Sequence, residues 1–516
     1  MKKSGLLRKG IIAAVSIILA GSELANPIPI HYTNVVQAET ADSITPAAGI
    51  NVARHTKEEI LAFLNSSGAT AENPVVYNEK PSNVSPYNTG SLSDETLNSA
   101  VKMLNQIRYI AGISYNVTLN EDYNAKTQAA SLVNSVNGAL THTPSKPSGM
   151  DDSLYQLGAK GAGSSNIALG YDTINGSLVY GYMEDGDSSN IDRVGHRRWI
   201  LNPPMSATGF GYCNGYSAMY AFDKKNTSAA EYGVAWPAQT MPTDYFSTAY
   251  PWSISMGYEV NKENVQVTLV RLRDNKTWNF SSALANGYFN VNNSGYGQTG
   301  CIIFRPDGVD AYGDGDQFQV TIAGLKTPVS YQVSFFDLVP STAVKIKKNN
   351  TKLNIGSSIY LDAEISPSNA SNKMIKWTSS DESVALVSDY GEVEGKGYGN
   401  AAITATCLSS GLTADYTVTV VPNAIGIDSV TSQKKQQITV SYAADKSVSG
   451  YEVTYAANEK FTKSKITTVK KPSSSRLTIT GLKSGKIYYV RIRAYYIKSG
   501  KKIYGDYGYT DNVWVK

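Results

Sequence analysis

Four histidines occur in the 516 residues of the chain. Two of them, His142 in "LTHTP" and His196 in "VGHRRWILNPP", stand beside proline or glycine turns in one stretch, with Glu184 and Asp185 between them. Imidazoles titrate near neutrality, so such a pair with a carboxylate can act as general acid and base or hold a divalent cation. By themselves, two such histidines more often fill unrelated structural roles. Arg197 and Arg198, directly after His196, suit an anion or an ion pair with Asp192 across a turn. Asp185, Asp187, Ser189 and Asp192 offer oxygens in a Gly-containing loop loosely like a calcium loop. That loop lacks the bidentate glutamate at its twelfth position, so an acidic turn fits the spacing better. "RPDGVDAYGDGD" (305–316) has the same weakness. His55 lies in a polar stretch before a short helix and is expected to face solvent.

Several elements are positioned to carry these residues. Thr56 with Glu59 three residues later has capping-box spacing and opens a short amphipathic helix. Ser93 precedes "DETLNSAVKMLNQIRYIAG", where Leu97, Val101, Leu104, Ile107 and Arg108 recur at helical spacing until Gly112. A second amphipathic stretch runs from Asn120 to Gly138. From about Tyr232 the helical spacing ends, and β-branched and aromatic residues alternate with polar ones between turn residues. "VQVTLVRL", "GCIIFRP", "DQFQVTIAGL" and "SYQVSFFDL" are strand candidates of a first β module. The pattern predicts one mixed α/β domain followed by three β sandwiches. Trp236 and Trp252, flanked by prolines, suit either sugar stacking or the sealing of a joint between domains.

Lys2, Lys3, Arg8 and Lys9 precede an apolar run from Ile11 to Ala20, the pattern of a secretory leader cleaved at Ala25 or Ala38. The run is too short to span a bilayer comfortably, no second one occurs, and the C-terminal "DNVWVK" is not apolar. Three cysteines, Cys213, Cys301 and Cys407, do not make a disulfide framework and are expected to be buried small hydrophobes. The net charge of +4 conceals an asymmetry. From Ala424 onward there are 17 Lys and Arg against 6 Asp and Glu. A basic tail on an acidic body suits adhesion to an anionic surface, or is simply a well-solvated face.

Three stretches resemble known families. "LNQIRYIAGI", "LTHTP", "SSNIALG", "VYGYMED" and "VGHRRWILNP…GFGY" occur in the order of motifs in the CAP superfamily, also called the SCP or pathogenesis-related family. That resemblance covers about residues 90–215. It implies a three-layer α-β-α sandwich with a central cleft where two histidines and two glutamates can hold a divalent cation. The chain departs from the pattern in two places. Ser165 stands where the first glutamate is expected, and Asp185 where the second is, or Glu184 if the register slips by one. "KWTSSDESVA" and "GNAAITA", with Pro367 and Gly391, resemble a bacterial immunoglobulin-like domain of group 2. "SGYEVTYAANEKF" and "LTITGLKSGKIYYVRIRAYY" are similar to fibronectin type III domains of secreted Gram-positive proteins.

Together these readings divide the chain into a leader (1–38), a segment with one short helix and a linker (39–90), a CAP-like domain (91–231), a β sandwich of unassigned family (232–340), an Ig-like domain (342–422) and a fibronectin type III domain (424–516). The expected fold class is a three-layer α-β-α sandwich followed by three all-β sandwich modules. Candidate catalytic and metal-ligating residues are His142, His196 and Asp185, the cation being zinc or calcium. Ser165, Asn166, Glu184 and Arg197 are candidate ligand contacts. Ser165 also invites a reading as a nucleophile, although no orienting partner or oxyanion hole is visible in the sequence. The expected protein is a secreted or wall-associated monomer that binds an anionic wall polymer, a glycan or a host protein, with no specific nucleic-acid partner. The competing expectation is a metal-assisted hydrolase acting on peptide or nucleic acid, and a purely structural cleft is the third.

Overall fold

The computed structural model describes residues 47–347 and 351–516. The expected leader and both of its cleavage points lie outside them. Helix α1 (Lys57–Ser67) opens on the expected capping box, with Thr56 Oγ1 accepting from Glu59 N at 3.2 Å and the Glu59 carboxylate accepting from Thr56 N at 2.8 Å. Helix α2 (Asp94–Ile110) starts at Ser93, and α3 (Glu121–Asn137) runs from the N-cap Asn120 to a left-handed Gly138. Helix α4 (Asp152–Ala162) has no counterpart among the expected elements, because two interior glycines argue against a helix. The same glycines explain why it forms here. A Cβ at Gly158 would come within 2.5 Å of Val133 Cγ2, and one at Gly161 within 2.0 Å of Lys126 O. Their absence lets α4 lie flat on α3, and that packing outweighs poor intrinsic propensity.

Strands Ser165–Leu169, Tyr216–Tyr220 and Phe210–Cys213 form a three-stranded antiparallel sheet in that spatial order. Because side chains alternate along a strand, its two faces differ. Ile167 and Ala218 pack against Ala130 of α3 and Ala162 of α4. Ala168, Phe210, Tyr212 and Met219 join a cluster with Leu178, Val179 and Tyr182. Those three residues belong to a π-helical turn (Ser177–Tyr182) that continues the short helix α5 (Ile174–Gly176). A last short helix, α6 (Gly195–Ile200), begins after Val194, which is held at a φ of 44°.

The remainder is β structure. In the first module a four-stranded sheet and a five-stranded sheet form, the latter containing all but one of the four quoted strand candidates. This module and the helical region share one hydrophobic cluster, which runs from Ile60 and Leu104 through Leu178 and Phe210 to Trp236, Trp252 and Phe335. Trp236 and Trp252 are fully buried, so they seal this shared core and are not available to stack on a sugar. The polypeptide before α1 also joins the two regions: Ala53 N donates to Gly112 O, Asn51 N to Tyr232 O and Ala48 N to Ser330 O. The last two modules have cores of their own, around Ile403 and Val418 and around Val453 and Ile492. All three cysteines are buried and unbridged. No helix among the described residues is long and apolar enough to cross a membrane.

Candidate ligand cleft

A cleft of about 260 Å³ is lined by His142, Ser165, Asn166, Arg193, His196, Trp199, Phe222 and Tyr296. Each histidine is fixed through one ring nitrogen. His142 Nδ1 lies 2.8 Å from Ala162 O; a carbonyl can only accept, so this nitrogen carries the proton and Nε2 is left as an acceptor. His196 Nδ1 lies 2.7 Å from Asp185 Oδ1, which orients its ring in the same sense. Asn166 Nδ2 donates to His196 O at 2.9 Å and fastens the backbone of α6 to the sheet. Burial works against a charged His196, but the charge and hydrogen bond of Asp185 outweigh it, and the imidazole titrates above its ordinary value.

Four of the expected site residues meet here, namely His142, His196, Ser165 and Asn166. Three do not. Asp185 has 1% of its side chain exposed and lies behind His196, with Oδ2 accepting from Arg197 N at 3.0 Å. It therefore positions the ring and is not a ligand in the cleft. Arg197 is no anion grip, because its guanidinium is fully buried. It donates to the carbonyls of Met183, Glu184 and Pro251 and to Ser253 Oγ, and burial pulls it down to about 10. Glu184 is outside the cleft wall; its backbone carbonyl accepts from Arg197 and its amide donates to Gly181 O. Its carboxyl is pushed up by burial and then by Asp187 and Asp185. His55, expected in solvent, stacks on Tyr109 with ring centroids 3.8 Å apart.

The donor set does not fit the divalent cation that the CAP resemblance implies. Zinc at a catalytic site takes three protein ligands, and calcium takes six or more oxygens. The cleft offers two imidazoles and a hydroxyl, and among the described residues no group of three His, Cys, Asp or Glu is placed to hold a metal. The acidic loop is also spent internally, with Asp187 accepting from Ser189 and Asn190 and Asp192 facing Arg193.

The cleft also contains residues that sequence reasoning missed. Trp199 sits inside the stretch that identifies His196, but nothing in its type separates a cleft wall from a core. Tyr296 comes from "NSGYGQ" in the first β module, about a hundred positions from His196, and no local pattern signals that it returns to this site. The guanidinium carbons of Arg193 and Arg198 lie 6.0 and 5.5 Å from its ring centroid, within or at the range of cation–π attraction.

Comparison with known proteins places parts of the chain. An α-L-arabinofuranosidase of Bifidobacterium longum is 36% identical over 22% of this chain and 10% of its own length. A 3-O-α-D-galactosyl-α-L-arabinofuranosidase of the same species is 40% identical over 11% of this chain and 5% of its own length. The chain thus spans a tenth or less of these two curated relatives. Among solved structures, an EHEC O157:H7 intimin mutant is 23% identical over 18% of this chain and 54% of its own, with a TM-score of 0.14. Domains FN1–FN3 of chicken CNTN1 are 13% identical over 52% of this chain and 94% of their own, with a TM-score of 0.17. Residues 340–418 match the bacterial Ig-like domain (group 2), and residues 423–503 match the fibronectin type III domain. Both modules are typical of extracellular proteins.

Proposed function

We propose that this is an extracellular or wall-associated protein whose CAP-like domain, residues 91–231, binds a ligand in the histidine-lined cleft, while the β modules space it and attach it to an anionic surface. One observation carries the reading. Ser165 is 5% exposed, lines the cleft, and its Oγ has no hydrogen-bond partner among the described residues. Buried hydroxyls are usually satisfied, so this one is a group that a ligand entering the cleft could bond. Helical layers on both faces of a three-stranded sheet, and the convergence of His142 with His196, support the CAP assignment. The arabinofuranosidase relatives support a setting among carbohydrate-handling proteins.

The test uses the full chain on purified Gram-positive walls over a series of salt concentrations, beside the double variant His142→Ala/His196→Ala. Salt-sensitive retention of both proteins is expected, together with loss of one soluble wall-fragment signal in the variant. No retention and no variant-dependent signal would sink the reading. A second reading, hydrolysis, is favoured by one feature, the buried Asp185 that orients His196 as a general base would be oriented. It requires turnover of peptide, glycan or nucleic-acid substrates by the wild type that the double variant lacks.

A further inference from the structure

The walls of the cleft are aromatic and its mouth is cationic. Trp199 and Phe222 stand with ring centroids 4.7 Å apart at 41° and form a corner, and 47% of Phe222 is exposed. Trp199 is only 9% exposed, so Phe222 supplies the accessible apolar face, and such a face beside hydrogen-bonding groups suits the C–H face of a sugar ring. The polar groups are the free Nε2 of each histidine and the unpartnered Ser165 Oγ, and sugar hydroxyls can satisfy all of them because a hydroxyl both donates and accepts.

Charge narrows the choice of sugar. Arg193 lines the cleft, its guanidinium donating to Asn190 Oδ1 and to Asp192, and the Lys224 ammonium is 5.3 Å from the Trp199 ring centroid. The nearby carboxylates are accounted for: Asp192 is 3.1 Å from Arg193 Nη1, Asp187 is held by Ser189 and Asn190, and Asp185 is behind His196. Asp192 offsets part of the Arg193 charge, but its own side chain is 57% exposed and well screened. Size narrows it further. A cavity of about 260 Å³ falls just below the roughly 300–1,000 Å³ typical of sites for drug-sized ligands, which leaves room for a single ring.

We infer that the cleft takes one carboxylate-bearing sugar unit, with its ring face against Phe222 at the edge of Trp199, its hydroxyls on Ser165 and the imidazoles, and its carboxylate toward Arg193. This inference rests on the reading of the cleft as a ligand site. Part of the specificity then belongs to the neighbouring module, because its Tyr296 lines the cleft with its ring centroid 6.0 Å from the Arg193 guanidinium carbon.

The test is titration of the full chain with D-glucuronic acid, D-glucose and acetate, followed by calorimetry and saturation-transfer NMR. Glucuronate is expected to bind about tenfold tighter than glucose, and acetate not to compete at equal concentration. Arg193→Gln should bring glucuronate down to the level of glucose, Arg193→Lys should retain most of the preference, and Ser165→Ala should weaken both sugars by a similar factor. Melting temperatures establish that each variant is folded. Equal affinity for the two sugars, or a preference that survives Arg193→Gln, overturns the inference. If soluble wall fragments bind in a His142- and His196-dependent way without any glucuronate preference, the ligand-cleft reading stands and the acidic sugar falls. If no probe gives a cleft-dependent signal, both fall.

Discussion

At the scale of single residues, the pairing of Asp185 with His196 changes what each side chain contributes. The residue types were legible in the sequence, since two histidines and nearby carboxylates mark the site. The direction of the carboxylate was not, because it depends on a backbone φ of 45° at Asp185 and on the amide of Arg197, neither of which leaves a mark in residue type. The consequence is a pH dependence. A folded-state pKa raised above the unfolded one means that the folded form holds the proton more tightly. The resulting stabilisation is full in mild acid, below the unfolded pKa, and is lost as pH rises through the neutral range. His196→Gln should therefore destabilise more at about pH 5.5 than at about pH 8.5, values chosen to bracket an ordinary imidazole. Urea unfolding at the two pH values checks this, and a pH-independent difference would remove Asp185 as the charge partner. Asp185→Asn should in turn lower the His196 titration midpoint observed by NMR.

At the scale of elements, caps were readable and close approaches were not. Thr56 with Glu59, Ser93, Asn120 and Gly138 declare helix ends because a side chain or a glycine satisfies orphan backbone groups locally. Helix α4 escaped notice because the reason for its glycines lies on another helix. Gly211 is a similar case in "TGFGYC", which reads as an extended strand segment without showing why a glycine stands there. The strand forms as expected, and the missing Cβ of its buried Gly211 would meet the Thr127 carbonyl carbon of α3 at 2.2 Å. That is backbone and cannot turn aside. Gly211→Ala must push α3 off the sheet, and overpacking of this kind costs about 1–3 kcal/mol or more. The expected result is a clearly lower midpoint of chemical unfolding. The effect should reach the cleft, because α3 and α4 together support the Ala162 carbonyl that holds His142. A variant as stable as the wild type would show that the helix and sheet are less tightly seated than described.

At the scale of the whole molecule, the change of texture near Tyr232 reads as a domain boundary, but the packing carries straight across it. Hydrophobic patterning marks where strands replace helices and is silent on whether two regions share a core. Two arginines make the sharing costly to undo. Arg197 finds two of its acceptors, Pro251 O and Ser253 Oγ, in the first β module. Arg198, 3% exposed, finds three there: Asn292 Oδ1, Ser294 O and Gln298 O. A chain ending at residue 231 would leave both guanidinium groups short of partners beside an exposed apolar face. Stripping the partners from one buried charge costs about 3–5 kcal/mol, against a total stability of about 5–15 kcal/mol for a typical domain. Two such losses are enough to abolish folding. Residues 47–340 should therefore melt in one cooperative calorimetric transition, while residues 47–231 alone should give no transition and be cut readily by trypsin. Two separate transitions within 47–340, or a protease-resistant 47–231 fragment, would show that the arginines fasten together two units able to stand alone. A single transition would mean that the cleft is held in shape from both sides, since the same Arg198 that crosses the joint lies against Tyr296 in the cleft wall.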